Sequence, residues 1–134
     1  MIKFKDYSNE VNEKINRAAI TWLEEASGEL EAQTKRNTKV DTGQTKGSWE
    51  HVVHESKLEA EVGSRYKNAL WEEFGTGIYA LNGNGRKTKW VYRNPKDGKF
   101  YTTVGKKPRR ALWNAYQSLK STLKKSAREK FKSI

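Results

Sequence analysis

The sequence predicts an α+β fold in which an antiparallel β-sheet is flanked by long N-terminal and C-terminal α-helices, with a short middle helix and a flexible Gly/Asn-rich loop. Three observations lead there. Near both ends of the chain, apolar residues recur every third or fourth position, the period of a helix that buries one face. Between the two, shorter runs carry the alternation of half-buried strands. Those runs come in pairs joined by tight turns, so the pairing is antiparallel.

Residues 6–36 form the first helix on this reading. Tyr7, Val11, Ile15, Ala18, Trp22, Ala26 and Leu30 make one stripe, charged residues fill the gaps, and Asp6 or Ser8 is placed to cap the start. Residues 37–47 are polar and contain Gly43 and Gly47, which makes them a connection. Residues 48–55 and 58–62 read as two strands turning around Ser56 and Lys57, with Leu58, Ala60 and Val62 on the buried side of the second. Asn68 to Phe74 suits a short helix, and Gly75 stands where a helix ends in left-handed backbone. Residues 76–88, with Gly77, Asn82, Gly83, Asn84 and Gly85, read as a mobile loop. Residues 89–93 and 99–104 flank Asn94-Pro95-Lys96-Asp97-Gly98, a strong turn signal, and so make a β-hairpin. Pro108 is expected to open the last helix, whose apolar stripe is Leu112, Tyr116, Leu119, Leu123, Ala127 and Phe131.

A chain of 134 residues fits one domain, 1–134, able to bury a modest core without a metal or a disulfide. Hydrophobic residues are only 34%, yet aromatics reach 11%, too many for a disordered chain. No cysteine is present, which excludes disulfides, thiolate metal sites and cysteine nucleophiles. No apolar run is long enough to span a membrane and the first residues lack a signal-peptide core, so a soluble chain made inside the cell is expected, with no membrane partner.

The net charge of +11 is unevenly spread: residues 106–134 carry 10 Lys and Arg against one Glu. Projected at about 100° per residue, Arg110, Lys124, Lys125, Arg128 and Lys132 gather opposite the apolar stripe of the last helix. Such a face fits phosphates, an acidic protein surface, or simply water. Trp22 and Tyr116 are expected in the core, whereas Trp90, Tyr92, Phe100 and Tyr101 crowd a hairpin with two faces, so some must be exposed.

Catalytic constellations are not found. His51 and His54, the only histidines, lie three apart on a strand and face opposite sides, a poor metal pair and a poor dyad. Glu72 and Glu73 diverge on a helix and are read as a solvated pair. The glycine spacing matches no phosphate-binding loop, and no cofactor is implied. A hydrolase built on His51 and Glu72 is therefore a remote third class.

Three landmarks occur in a fixed order. The first is Val40-Asp41-Thr42-Gly43, continued to Ser48-Trp49 after a long helix. The second is Val62-Gly63-Ser64-Arg65-Tyr66 followed by Trp71-Glu72-Glu73-Phe74-Gly75-Thr76-Gly77. The third is Lys107-Pro108-Arg109-Arg110-Ala111-Leu112, entering the last helix. From about residue 40 onward this resembles the head–tail joining proteins of siphophages, also called tail-completion or minor tail proteins, especially those of phages infecting Gram-positive bacteria. Lys107-Pro108-Arg109-Arg110 departs from many relatives, which have an aromatic after the proline.

The resemblance implies a non-enzymatic virion protein that completes the head-proximal end of the tail. Its partners would be the tail tube protein or tail end, the head connector or head-completion protein, and further copies of itself in a ring of six. It would be a monomer in the host cytoplasm and lie at the tail end, or neck, of the virion. Expected partner-binding residues are Arg110, Lys124, Lys125, Arg128 and Lys132 on the helix and Asn82, Asn84, Arg86, Lys87 and Trp90 in and beside the loop. Asp41, Thr42 and Gly43 are expected to shape a turn. The alternative class is a small basic nucleic-acid-binding protein using the last helix.

Overall fold

A computed structural model describes residues 1–40 and 43–134. Its order is α1 (Ser8–Asn37), α2 (Gln44–Gly47), β1 (Trp49–His54), β2 (Glu59–Ser64), α3 (Lys67–Phe74), β3 (Trp90–Arg93), β4 (Phe100–Thr103) and α4 (Ala111–Lys132). The fold is α+β with long terminal helices, as the periodicities require. The strands, however, make two separate antiparallel hairpins, β1–β2 and β3–β4, rather than one sheet.

The two long helices lie against one another, antiparallel. The Asn37 side chain donates to the Ala111 carbonyl (3.1 Å) at one end, and Trp22 Nε1 donates to the Leu123 carbonyl and Ser126 Oγ further along. Small residues let the backbones approach: Ala26, Ser27 and Thr34 of α1 and Ala111 and Ala115 of α4 are all buried. The larger residues of the α4 stripe sit at the rim. Tyr116 is 43% exposed and Phe131 39%, so neither is core. With 30 residues against 22, α1 outruns its partner by about 12 Å. Tyr7, Val11 and Ile15, the first members of its stripe, are left exposed. Asp6 holds the helix start by accepting from the Ser8 N–H (2.9 Å).

Hairpin β1–β2 lies on α1. Its inner face pairs Trp49 with Ser64, His51 with Val62 and Val53 with Ala60, and Trp49 is buried with its indole N–H on Thr38 Oγ1 (2.9 Å). His51 points inward, between Glu24 (3.5 Å) and Glu31 (3.3 Å) of α1, whereas His54 points outward beside Glu61, the opposed orientation that strand alternation demands. Leu58 does not continue the buried side of β2. It takes left-handed backbone (φ 52°) after a 3₁₀ turn at Glu55–Lys57 and is exposed. The connection before β1 contains one helical turn, α2, begun at Gly43 (φ 84°). The turn expected at Asp41 and Thr42 lies outside the described residues.

The entry to α4 differs from the proline start. Pro108 precedes the helix, Arg110 adopts left-handed backbone (φ 58°), and Ala111 is the first helical residue. The cap comes from α3 instead. Glu73, 5% exposed, accepts the Leu112 N–H on Oε2 (3.0 Å) and the Trp113 N–H on Oε1 (2.9 Å), satisfying two otherwise orphaned helix donors. Its neighbour Glu72 holds Lys106 and lies 3.7 Å from Arg109, while its carbonyl accepts the Arg109 N–H (2.7 Å). The two carboxylates diverge as helix geometry requires, but they are not a solvated pair: both are engaged by residues 106–113.

Glu73→Ala therefore leaves two part-buried helix N–H groups without their acceptor and the Arg110 guanidinium without its carboxylate, and is expected to cost about 3 kcal/mol. Glu73→Gln keeps one carbonyl acceptor and should cost less. Urea unfolding of the two variants, with amide exchange read at Leu112 and Trp113, checks this; unchanged exchange at those amides would contradict the cap.

Candidate interaction surfaces

Two surfaces of different chemistry lie open. On α4, Lys124, Lys125, Arg128 and Lys132 are exposed, and no carboxylate pairs with any of them among the described residues. Lys130, between them in sequence, reaches back to Glu25 of α1 (3.1 Å). The basic face expected from the helical projection thus exists at these four positions. Arg110 stands apart from it. Its Nε lies 3.7 Å from Glu73, and its guanidinium covers the rings of Trp113 (5.0 Å) and Phe74 (5.9 Å). Left-handed backbone ahead of the helix removes it from the helical projection that grouped it with the others.

The remaining expected site residues lie at the second half of the 76–88 segment and the start of β3. Asn82, Asn84, Arg86 and Lys87 are exposed, and Arg86 donates to Thr88 (3.1 Å) and covers the Trp90 ring (5.7 Å). The first half of this segment is docked rather than free. Thr76 N–H donates to the Lys106 carbonyl (2.9 Å), Ile78 N–H to that of Val104 (3.1 Å), and Leu81 N–H to that of Phe74 (3.0 Å). Gly77 makes this possible: it has φ 61°, and a Cβ there would run into the Val104 carbonyl. The glycine served close backbone approach here, a use that composition does not separate from flexibility.

Hairpin β3–β4 carries the exposed aromatics. Tyr92 and Tyr101 meet across the strands at 6.0 Å on one face, while Val91 (63% exposed) and Phe100 (72%) lie on the other with Arg93. At its tip, Asn94 accepts the Lys96 N–H and Asp97 the Lys99 N–H (both 2.9 Å), with Gly98 at φ 70°. The Tyr101 hydroxyl donates to Asp97. That bond, then the Lys99 amide, holds the Asp97 carboxyl below its ordinary range. The same bond raises Tyr101, because losing its proton would set two negative charges side by side.

The feature missed by sequence reasoning is an apolar cleft of about 570 Å³ between β2, α3 and α4. Trp49, Val62, Leu70, Phe74, Trp113 and Tyr116 line it, above the Glu73–Arg110 pair. Helix α3 is inverted: Glu72 and Glu73 turn inward, while Leu70 (55% exposed), Trp71 (49%) and Phe74 (38%) turn out. The signal was the apolar triplet on so short a helix. Among the described residues, no group of three His, Asp or Glu is placed to hold a metal, and no helix is long and apolar enough to cross a membrane.

Across the molecule the charge divides by sequence. Residues 86–134 hold 16 Lys and Arg against Asp97 and Glu129, and residues 1–85 hold 11 against 14 acids. Residues 2–75 match the family model described as "Bacteriophage HK97-gp10, putative tail-component". The chain belongs to this family. It is a structural component of phage tails, located in the virion and in contact with other tail or head proteins. The matched stretch ends at Gly75, so it contains α1, the first hairpin and α3 but neither the basic hairpin nor α4. No curated protein and no solved structure matches the tail component.

The hairpin tip has a pH signature. Asp97 is depressed, so its contribution is present above the ordinary carboxyl value and fades as pH falls through its folded one; Tyr101 is raised, so its contribution holds up to pH about 10 and fades above. In a near-ultraviolet titration one tyrosine should ionise after the others, and Asp97→Asn should bring it back among them. An unchanged titration curve would contradict the bond.

Proposed function

We propose that this tail component completes the head-proximal end of the tail and joins it to the head. It acts as a ring-forming adaptor, six copies to a ring, between the tail tube end and the head connector or head-completion protein. The observation that carries the reading is the face of Lys124, Lys125, Arg128 and Lys132, unpaired among the described residues, on a helix whose other side is committed to α1. A joining protein must be held by its own tail and still offer a second surface. Charge on that surface supplies orientation and speed of encounter with an acidic partner. The free protein is a monomer in the host cytoplasm, since copies with a net charge of +11 repel one another until a tail end presents a template. No enzymatic step is part of this role.

The same four cations also support a second reading, a nucleic-acid-binding protein whose last helix neutralises phosphates. The two differ in what the cations touch. Reversing Lys124, Lys125 and Arg128 to Glu together should lower the yield of joined particles at least about tenfold, a loss of roughly 1.4 kcal/mol or more in docking. DNA affinity should barely move. Sedimentation of the purified variant with heads and with tails lacking the protein, beside a DNA titration at two salt concentrations, reads both. Normal joining with abolished DNA binding would favour the second reading and overturn the first.

A further inference from the structure

The Val91 and Phe100 face of hairpin β3–β4 lines none of the described clefts, while the Tyr92 side overlooks a polar one shared with Thr45, Asn68 and Lys106. The outward face thus presents two bare apolar side chains with Arg93 beside them. The apolar cleft between β2, α3 and α4 is the opposite kind of surface. It opens onto core residues Trp49 and Ala69 and is rimmed by Leu70, Phe74 and Trp113, so apolar side chains face open space there instead of one another. Its β2 wall, Val62 to Ser64, is shared with a second depression lined by Glu50, Glu61 and Arg65. The outer face of that hairpin, with Glu50, Glu59 and Glu61, is acidic and exposed.

We propose that the β3–β4 hairpin of one copy seats in the cleft of a second copy, with Val91 and Phe100 entering the apolar space and Arg93 meeting Glu61. The two surfaces are different and lie on the same chain, so the contact is heterologous: it repeats from copy to copy instead of closing a two-fold dimer. Charge favours this arrangement, since residues 86–107 carry eight Lys and Arg against Asp97, whereas residues 49–65 carry four Glu against Lys57 and Arg65. Arg65 is taken up by Glu50 (3.3 Å), which leaves Glu59 and Glu61 as the acids facing the incoming hairpin. The hairpin is also formed in advance, which limits the ordering cost of docking. The exposed N-terminal residues Met1, Ile2 and Phe4 are the rival occupant, but they belong to no helix or strand that would present them as a formed unit. One small hairpin in one cleft is a weak contact against net repulsion, which keeps free copies apart. The proposal deepens the ring reading above and rests on it.

The absence of cysteine makes the test direct, because introduced thiols have no competitor within the chain. Phe100→Cys and Leu70→Cys alter exposed side chains and should leave the fold intact, as circular dichroism will verify. The two variants, one carrying a size tag, are mixed with tails lacking the protein and treated with a mild oxidant. The expected product is the mixed Phe100–Leu70 disulfide, at least about fivefold over either like pair. The chain bearing both substitutions should give a ladder of higher oligomers. Predominance of like pairs would mean a two-fold contact and overturn the proposal. Preferential coupling of Ile2→Cys to Leu70→Cys would overturn it in favour of the N-terminal arm. Absence of any disulfide from variants that still sediment with tails would remove the docking and leave the joining role standing. Failure of the unsubstituted protein to sediment with tails would remove the joining role itself.

Discussion

The fold turns on the grip of α3 on residues 106–113. Glu73 caps a helix that lies 39 and 40 residues further along the chain, and Glu72 holds the segment leading into it. Without these carboxylates the first turn of α4 would leave two part-buried N–H groups unmet, a cost of a few kcal/mol. With them, α4 starts at one place, antiparallel to α1, and the side-chain layer between the two helices has a defined register. The left-handed backbone at Arg110 belongs to the same arrangement. It turns the chain sharply enough for the guanidinium to fold back over Glu73 while the helix proceeds away.

That grip has a consequence for the surface. A short helix that spends both its carboxylates inward turns other side chains outward, and α3 does this with Leu70, Trp71 and Phe74 beside Lys67. In a monomer such an inversion is unfavourable, since apolar area stays wet. In a tail component such a surface suits a contact that is completed on assembly. The molecule therefore carries two kinds of unused surface, an apolar cleft beside an acidic hairpin and a basic half containing β3, β4 and α4. Separate, dissimilar surfaces suit a protein that meets several neighbours in one virion.

Much of the architecture was legible in the sequence because it depends on local regularities. Seven apolar residues at helical spacing marked α1 to within two residues of its start, and Asn94 to Gly98 located the tip of the second hairpin through turn chemistry. The opposed orientations of His51 and His54 followed from strand alternation alone. The basic face at Lys124, Lys125, Arg128 and Lys132 followed from the helical period. Pro108 misled about the start of α4 because a proline is as compatible with the approach to a helix as with its first residue. Gly77 misled because the same missing side chain permits either motion or close contact.

Secondary structure, charge polarity and the order of the three landmarks were determined by the sequence by itself, since periodicity and turn preference act within a few residues. Burial was decided only by the tertiary structure. Tyr7, Val11 and Ile15 repeat with the same period as Ala26, yet stay exposed because α4 ends before it reaches them. Glu73 looks like any helix glutamate until the chain returns and places two N–H groups on it. The cleft likewise belongs to no element, because it is the space left where β2, α3 and α4 fail to fill the volume between them. Such properties depend on which distant segments come together and how long each is, and no local pattern carries that information.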